Sequence, residues 1–180
     1  TKYNENPGTK EGIPVIRMAA AEDLDKILDV YAAARRYMVQ SGNPTQWVDG
    51  YPQRELLEED IQADRLYVFE EEGDIHGVFA FMIGDDPTYT VIEEGDWKSG
   101  EPYGTIHRLA GDGSRKGLFP RCLDFCRGLI PNIRADTHSD NHTMQHLLEK
   151  YGFQKCGIVH VWDGTPRIAY QYAGENGETR

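Results

Sequence analysis

Cysteine is scarce: Cys122, Cys126 and Cys156 are the only three in 180 residues. That count supplies no disulfide framework. Cys122 and Cys126 fall four apart on the apolar face of an expected helix, where buried thiols are the simple reading. Reduced thiols point in turn to a reducing, cytoplasmic setting. No apolar run reaches the ~18 residues of a membrane-crossing helix, and the opening TKYNENPGTKEG carries no apolar segment of the signal-peptide kind. Basic residues are in deficit, with 19 Lys and Arg against 30 Asp and Glu, a formal net charge of −11. That balance argues against a nucleic acid as the main partner, because phosphate contacts need a basic surface. Gly-x-x-x-x-Gly-Lys-Ser/Thr is absent, which argues against a P-loop ATPase, and no internal repeat points to a solenoid.

The acidity is spread over stretches 55–60, 70–72 and 93–96, which read as solvated faces. An acidic mouth among them would attract a cationic amine. Hydrophobic residues make up 39% of the chain, enough for a core at this length. A single domain is expected over 14–173, with flexible segments at 1–13 and 174–180.

Periodicity gives the element order. A strand is expected over 14–18. A helix over 21–39 follows, with Leu24, Ile27, Leu28, Tyr31, Ala32, Arg35 and Met38 at three- and four-residue steps. The loop 41–52 holds Gly, Pro and Asn together with Trp47 and Tyr51, aromatics that either line a pocket or staple the loop to the core. A helix over 54–63 leads to strands over 66–71 and 75–84. The second of these, IHGVFAFMI, is almost continuously apolar, as in a strand covered on both faces. A long polar connection over 85–101 carries Tyr89 and Trp97. After a strand–loop–helix come a strand over 133–137, a helix over 142–151 with Asp140 as its expected N-cap, and a final hairpin around Asp163-Gly164.

The chain is organised around 103–119, YGTIHRLAGDGSRKGLF. It opens as an alternating strand, breaks into a glycine-rich loop with Arg115 and Lys116, and resumes at helical spacing from Leu118. A strand, a glycine loop with two cations and a helix start make an anion site. The helix N-terminus presents unpaired N–H groups and partial positive charge, and glycines admit a close approach. A phosphate-bearing ligand is therefore expected at 114–119.

Three further pieces carry a family resemblance. Ile106-His-Arg-Leu-Ala110 runs into the loop; Asn141 is followed by Leu147, Glu149, Lys150, Gly152 and Phe153; and Val15-Ile-Arg-Met-Ala19 precedes Asp23. Together, over roughly 15–172, they resemble the GNAT family of N-acetyltransferases. The second piece is the most specific, matching the family's Asn-x-x-Ala-x-x-Leu-Tyr-Glu-Lys-x-Gly-Phe signature. The resemblance implies an α/β fold, a mixed and mostly antiparallel six- to seven-stranded sheet with helices on both faces. It also implies acetyl-CoA as co-substrate, with no metal, and acetyl transfer to a primary amine of a small molecule or peptide by direct attack in a ternary complex. The alternative is a non-catalytic acyl-CoA-binding module. Acetyl-CoA and an amine acceptor are the expected partners of a monomer or homodimer, with no membrane. Leu109 and Ala110 would pair through the main chain with pantetheine. Ser114, Arg115, Lys116, Gly117, Leu118 and Phe119 would hold the pyrophosphate, and Asn141 would bond the pantetheine.

Two departures stand out. Of the family's Arg/Gln-x-x-Gly-x-Gly/Ala loop only Gly117 is kept, with bulky Phe119 in place of a small residue. The family's tyrosine general acid falls at Leu148, leaving Tyr151 and Tyr170 as weaker candidates. By the resemblance, the Leu109 N–H is the oxyanion donor. His107 lies two residues before it on the same expected strand face and is the candidate base or relay. Glu94, Asp96 and Asp136 are carboxylate alternatives acting through water. Trp47, Tyr51, Tyr89, Trp97 and Asp136 are the expected acceptor-binding residues, between the strands of His107 and Asp136. His138, His142 and His146 recur every fourth residue, but His138 precedes the expected helix cap, so no metal site is expected there.

Overall fold

The computed structural model describes residues 12–174. The arm expected over 1–13 lies outside them but for its last two residues, and the tail over 174–180 but for Gly174. The elements are β1 (Val15–Met18), α1 (Leu24–Gln40), α2 (Arg54–Gln62), β2 (Leu66–Glu71), β3 (Asp74–Ile83), β4 (Gly104–Gly111), α3 (Leu118–Leu129), β5 (Ile133–Thr137), α4 (His142–Lys150), β6 (Phe153–His160) and β7 (Pro166–Tyr172). Short 3-10 turns, Ala21–Asp23 and Pro87–Tyr89, precede α1 and interrupt the connection from β3 to β4.

The strands form one seven-stranded sheet in the order β1-β2-β3-β4-β5-β7-β6. Its neighbours run antiparallel except β4 and β5, which are parallel. This is the mixed sheet implied by the resemblance, with helices on both faces. The apolar run of β3 is explained by its two covers. Val78 and Ala80 pack with Ile27, Tyr31 and Leu57 under α1 and α2, while Phe79 and Phe81 pack with Phe119, Leu123 and Leu148 under α3 and α4. Each buried Val, Leu, Ile or Phe among them contributes roughly 1.5–3 kcal/mol of transfer free energy. A third, smaller cluster lies under the long connection, where Tyr89 and Tyr103 meet Cys156 and Val159 of β6.

Two features of β4 position the site. First, its pairing with β5 stops after Gly104↔Ile133 and Thr105↔Arg134. Beyond that point the two strands diverge and the sheet opens between them. Second, β4 carries a bulge. Val78 faces Ala110 and Ala80 faces His107, so Phe79 is opposed by both Arg108 and Leu109. Arg108 has a left-handed φ of 51°, uncommon away from glycine. Long-range bonds hold it there. The buried Tyr31 hydroxyl donates to the Arg108 carbonyl at 2.8 Å. The Arg108 guanidinium pairs with Asp60, which is 1% exposed and also accepts from Arg65 Nε at 2.6 Å. The extra residue undoes the alternation that put His107 and Leu109 on one face: Leu109 packs with Ile106 in the cluster beneath α3.

The N-cap of α4 is Asn141, not Asp140. Its side-chain carbonyl accepts from the Met144 N–H at 3.0 Å.

Candidate active site

The divergence of β4 from β5 opens a cavity of about 440 Å³. Ile106 to Leu109 line one side and Ala135 to Thr137 the other. Trp47 and Tyr51 close it from the loop after α1, and Trp162, Asp163 and Arg167 from the β6–β7 hairpin. Trp47 also meets Tyr31 edge-on, with centroids 5.5 Å apart, so this loop aromatic both staples the loop and lines the cavity.

His107 is held by Asp86, with Nε2 2.7 Å from Oδ2 and both side chains largely buried. Asp86 in turn caps the 3-10 turn, accepting from the Thr88 amide at 2.8 Å and hydroxyl at 2.7 Å. Burial alone would raise the Asp86 carboxyl; the bonds from His107 and Thr88 outweigh it and hold it at about 2. A carboxyl held below its ordinary 3.8 stabilises the folded state fully above that value, and the contribution is lost as pH falls through about 2. Acid unfolding followed by fluorescence is therefore expected to show, between about pH 4 and 2, a loss of stability that is smaller in Asp86→Asn. An equal slope in both proteins contradicts the assignment.

A groove of about 710 Å³ lies on the other side of Leu109. It runs between the C-terminal half of α1, the end of β4, the start of α3 and one side of α4. Helix α3 begins after Gly117, whose φ of 73° glycine adopts without strain, and no side chain caps it. The first-turn N–H groups of Leu118 and Phe119 thus have no side-chain cap, and Pro120 has no N–H to offer. Arg36, Arg115 and Lys150 bring positive charge to the groove walls. Cavity and groove share Met38, Leu109, Phe119, Asn141 and Met144, so the two spaces meet at the bulge of β4.

Of the expected groove residues, Leu109, Ala110, Arg115, Gly117, Leu118, Phe119 and Asn141 line it; Ser114 and Lys116 do not. The Ser114 amide and hydroxyl are instead bonded to Asp112 Oδ1 at 2.8 and 2.6 Å. Arg115 Nε donates to Glu71 at 2.8 Å, which lowers the Glu71 carboxyl. Asn141 is engaged at both ends, since its amide donates to Gln46 Oε1 at 3.0 Å. Replacing it with alanine is expected to cost about 1 kcal/mol through loss of the cap, read as a lower urea midpoint. No change in midpoint excludes the capping role.

Of the expected acceptor-binding residues, Trp47, Tyr51 and Asp136 line the cavity, whereas Tyr89 and Trp97 do not. Tyr89 lies behind Asp136 and donates to its Oδ2 at 2.7 Å. Trp97 packs against Tyr89 with the rings tilted and their centroids 4.9 Å apart, and covers Arg134. Glu94 and Asp96 are exposed and outside the lining. Tyr170 is fully buried and donates to Glu149 at 3.4 Å; burial first, then Glu149, raises its hydroxyl. Of the two tyrosines considered as proton donors, only Tyr151 lines the groove. Among the described residues no group of His, Cys, Asp and Glu is placed to hold a metal ion, and no helix is long and apolar enough to cross a membrane.

Sequence reasoning missed Asp86, Arg108 and Arg167. Asp86 had a local signal, an Asp before Pro87 and Thr88 as in a helix N-cap followed by proline. The arginines had none.

A GNAT-family acetyltransferase from Streptococcus agalactiae 2603 superposes with a TM-score of 0.74 at 36% identity, over 88% of this chain and 94% of that one. The chain belongs to the GNAT family. Another GNAT-type fold, that of a putative acetyltransferase from Staphylococcus aureus Mu50, matches at 28% identity and TM-score 0.64, over 87% of this chain and 97% of that one. N-acetylglutamate synthase from Neisseria gonorrhoeae, solved with coenzyme A and N-acetyl-glutamate, shares the fold at 21% identity and TM-score 0.53; 91% of this chain matches 35% of that one. No family model and no curated protein matches the sequence.

Proposed function

We propose that this GNAT protein transfers an acetyl group from acetyl-CoA to the primary amine of a small molecule or peptide, by direct attack within a ternary complex. The observation that carries the reading is the junction at Leu109, where the groove and the acceptor cavity meet. The groove's chemistry fits the donor. The N–H groups at the start of α3, with Arg36, Arg115 and Lys150 nearby, suit a pyrophosphate, and Met144 and Leu147 suit the apolar parts of its arm. The edge of β4 left free by its divergence from β5 suits the pantetheine amides. The Leu109 N–H donates to the thioester oxygen as charge develops there.

In the cavity, Asp86 occupies Nε2 of His107 and leaves Nδ1 to take the proton from the attacking amine. The N–C bond forms as the C–S bond breaks, and the thiolate leaves. Leu148 cannot protonate it; a coenzyme A thiolate is an adequate leaving group, with Tyr151 or water as the proton source. Carboxylates at Asp49, Asp136 and Asp163 line the cavity and favour a cationic amine there.

Calorimetry with acetyl-CoA and a thiol-release assay over an amine panel test this. Binding together with acetyl-CoA-dependent thiol release and a recovered N-acetyl product is the expected result. Binding without release from any amine leaves the non-catalytic acyl-CoA-binding module in its place, and no binding removes both.

A further inference from the structure

We infer that the acceptor carries a carboxylate beside its amine, making it a small zwitterion of the amino-acid kind. This rests on the acetyl-transfer reading and names its substrate class. Two arginines line the acceptor cavity, Arg108 from β4 and Arg167 from β7. Arg108 has an acid of its own in Asp60, although its Nε remains buried without a partner. Arg167 is in a different position. It is 7% exposed, and its Nη1 donates only to neutral acceptors, Thr165 Oγ1 and the Pro166 carbonyl, both at 2.9 Å. Among the described residues, the ion pairs formed by arginine leave Arg167 without a carboxylate.

The charge of Arg167 reaches its surroundings. His138 is pushed below its ordinary value, by burial first and by Arg167 second. Asp163, the acid of the same hairpin, is lowered by its bonds from Thr165 first and by the Arg167 charge after them. It lies at an exposed position, however, and its Oδ1 is taken up by the Thr165 hydroxyl at 2.6 Å and the Thr165 amide at 3.0 Å rather than by the guanidinium. A buried cation is unfavourable unless it is paired and hydrogen-bonded. A buried guanidinium on a cavity wall with no carboxylate at ion-pair distance is therefore complementary to an anion that arrives with the ligand. Its planar fork matches a carboxylate in particular. The opposite end of the acceptor is provided for on the sheet side. Asp136 and the His107–Asp86 pair suit an amine, and the junction with the groove lies beside them. A cavity of about 440 Å³ has room for one small amino acid or a close relative. The acids Asp49 and Asp163 at the same cavity disfavour a doubly charged phosphate in that place.

The test is thiol release from acetyl-CoA with paired acceptors, each α- or ω-amino acid beside its own carboxamide and, for the third arm, a phosphorylated amine. At least one amino acid is expected to exceed its carboxamide in kcat/KM by about 10–100-fold, the value of a charge-assisted bond. In Arg167→Gln that ratio is expected to fall toward one, and in Arg167→Lys to be partly restored. Because each ratio is taken on a single protein, a loss of folded enzyme cancels from it. Carboxamides or phosphorylated amines used as well as the amino acids, or a ratio unchanged in Arg167→Gln, overturn the inference while the acetyl-transfer reading stands. If acetyl-CoA binds but no amine of any kind releases thiol, both fall together.

Discussion

Asp60→Ala is expected to cost about 3–5 kcal/mol of folding stability, the largest loss from any single side chain around the site. Asp60 is 1% exposed and holds two arginines, Arg65 and Arg108. They do not lose equally. The Arg65 side chain is 34% exposed and turns to water, whereas that of Arg108 is 10% exposed and its Nε already lacks a partner. Removing the carboxylate leaves the Arg108 guanidinium buried and uncompensated, which is the costly half of a broken ion pair. The damage also reaches the chemistry, because Arg108 sits in the bulge that precedes Leu109. Urea unfolding measures the first effect, and thiol release at a temperature where the variant is fully folded measures the second. Asp60→Leu combined with Arg108→Met is expected to recover most of the stability, since an apolar pair of similar volume avoids the desolvation of both charges. A cost below about 1 kcal/mol for Asp60→Ala would mean that Arg108 reaches water and that the pair is not what fixes the bulge.

How much of this was legible in the sequence differs from residue to residue. The run from Asn141 to Phe153 and the unbroken apolar strand β3 carried the fold, because helix signatures and two-sided burial leave their mark on neighbouring residues. The order of the last strands did not show. A hairpin signal says that β6 and β7 pair, yet not that the returning strand β7 meets β5. The bulge was hidden for the same reason. Residues 103–110 alternate on paper, and what bends them is Tyr31 and Asp60, 77 and 48 positions away. Trp47 and Trp97 looked alike as aromatics in polar loops, but one lines the cavity and the other shields Arg134. Loop aromatics carry no local mark of which way they turn. Glycine-rich cationic loops mislead in the opposite direction. Ser114 satisfies Asp112, and Arg115 bonds Glu71, so part of the charge expected for a ligand is used in holding the loop.

His107→Ala is expected to lower kcat by about 10²–10³-fold, the range for a positioned general base, with the KM for acetyl-CoA little changed. The KM expectation follows from geometry, since His107 lines the acceptor cavity and not the groove. Asp86→Asn separates proton transfer from mere filling of space. It keeps the imidazole in place but removes the carboxylate that engages Nε2 at 2.7 Å, so the ring is free to present the wrong nitrogen. A smaller loss, about tenfold, is expected for it, and the double variant is expected to be no worse than His107→Ala alone, because the carboxylate acts only through the ring. Two results would redirect the assignment. A His107→Ala enzyme within about threefold of wild type leaves Asp136, the one of the expected carboxylate alternatives that lines the cavity, to act through water. Losses that multiply in the double variant make Asp86 a separate contributor, and the attraction of a cationic amine is then its more economical role.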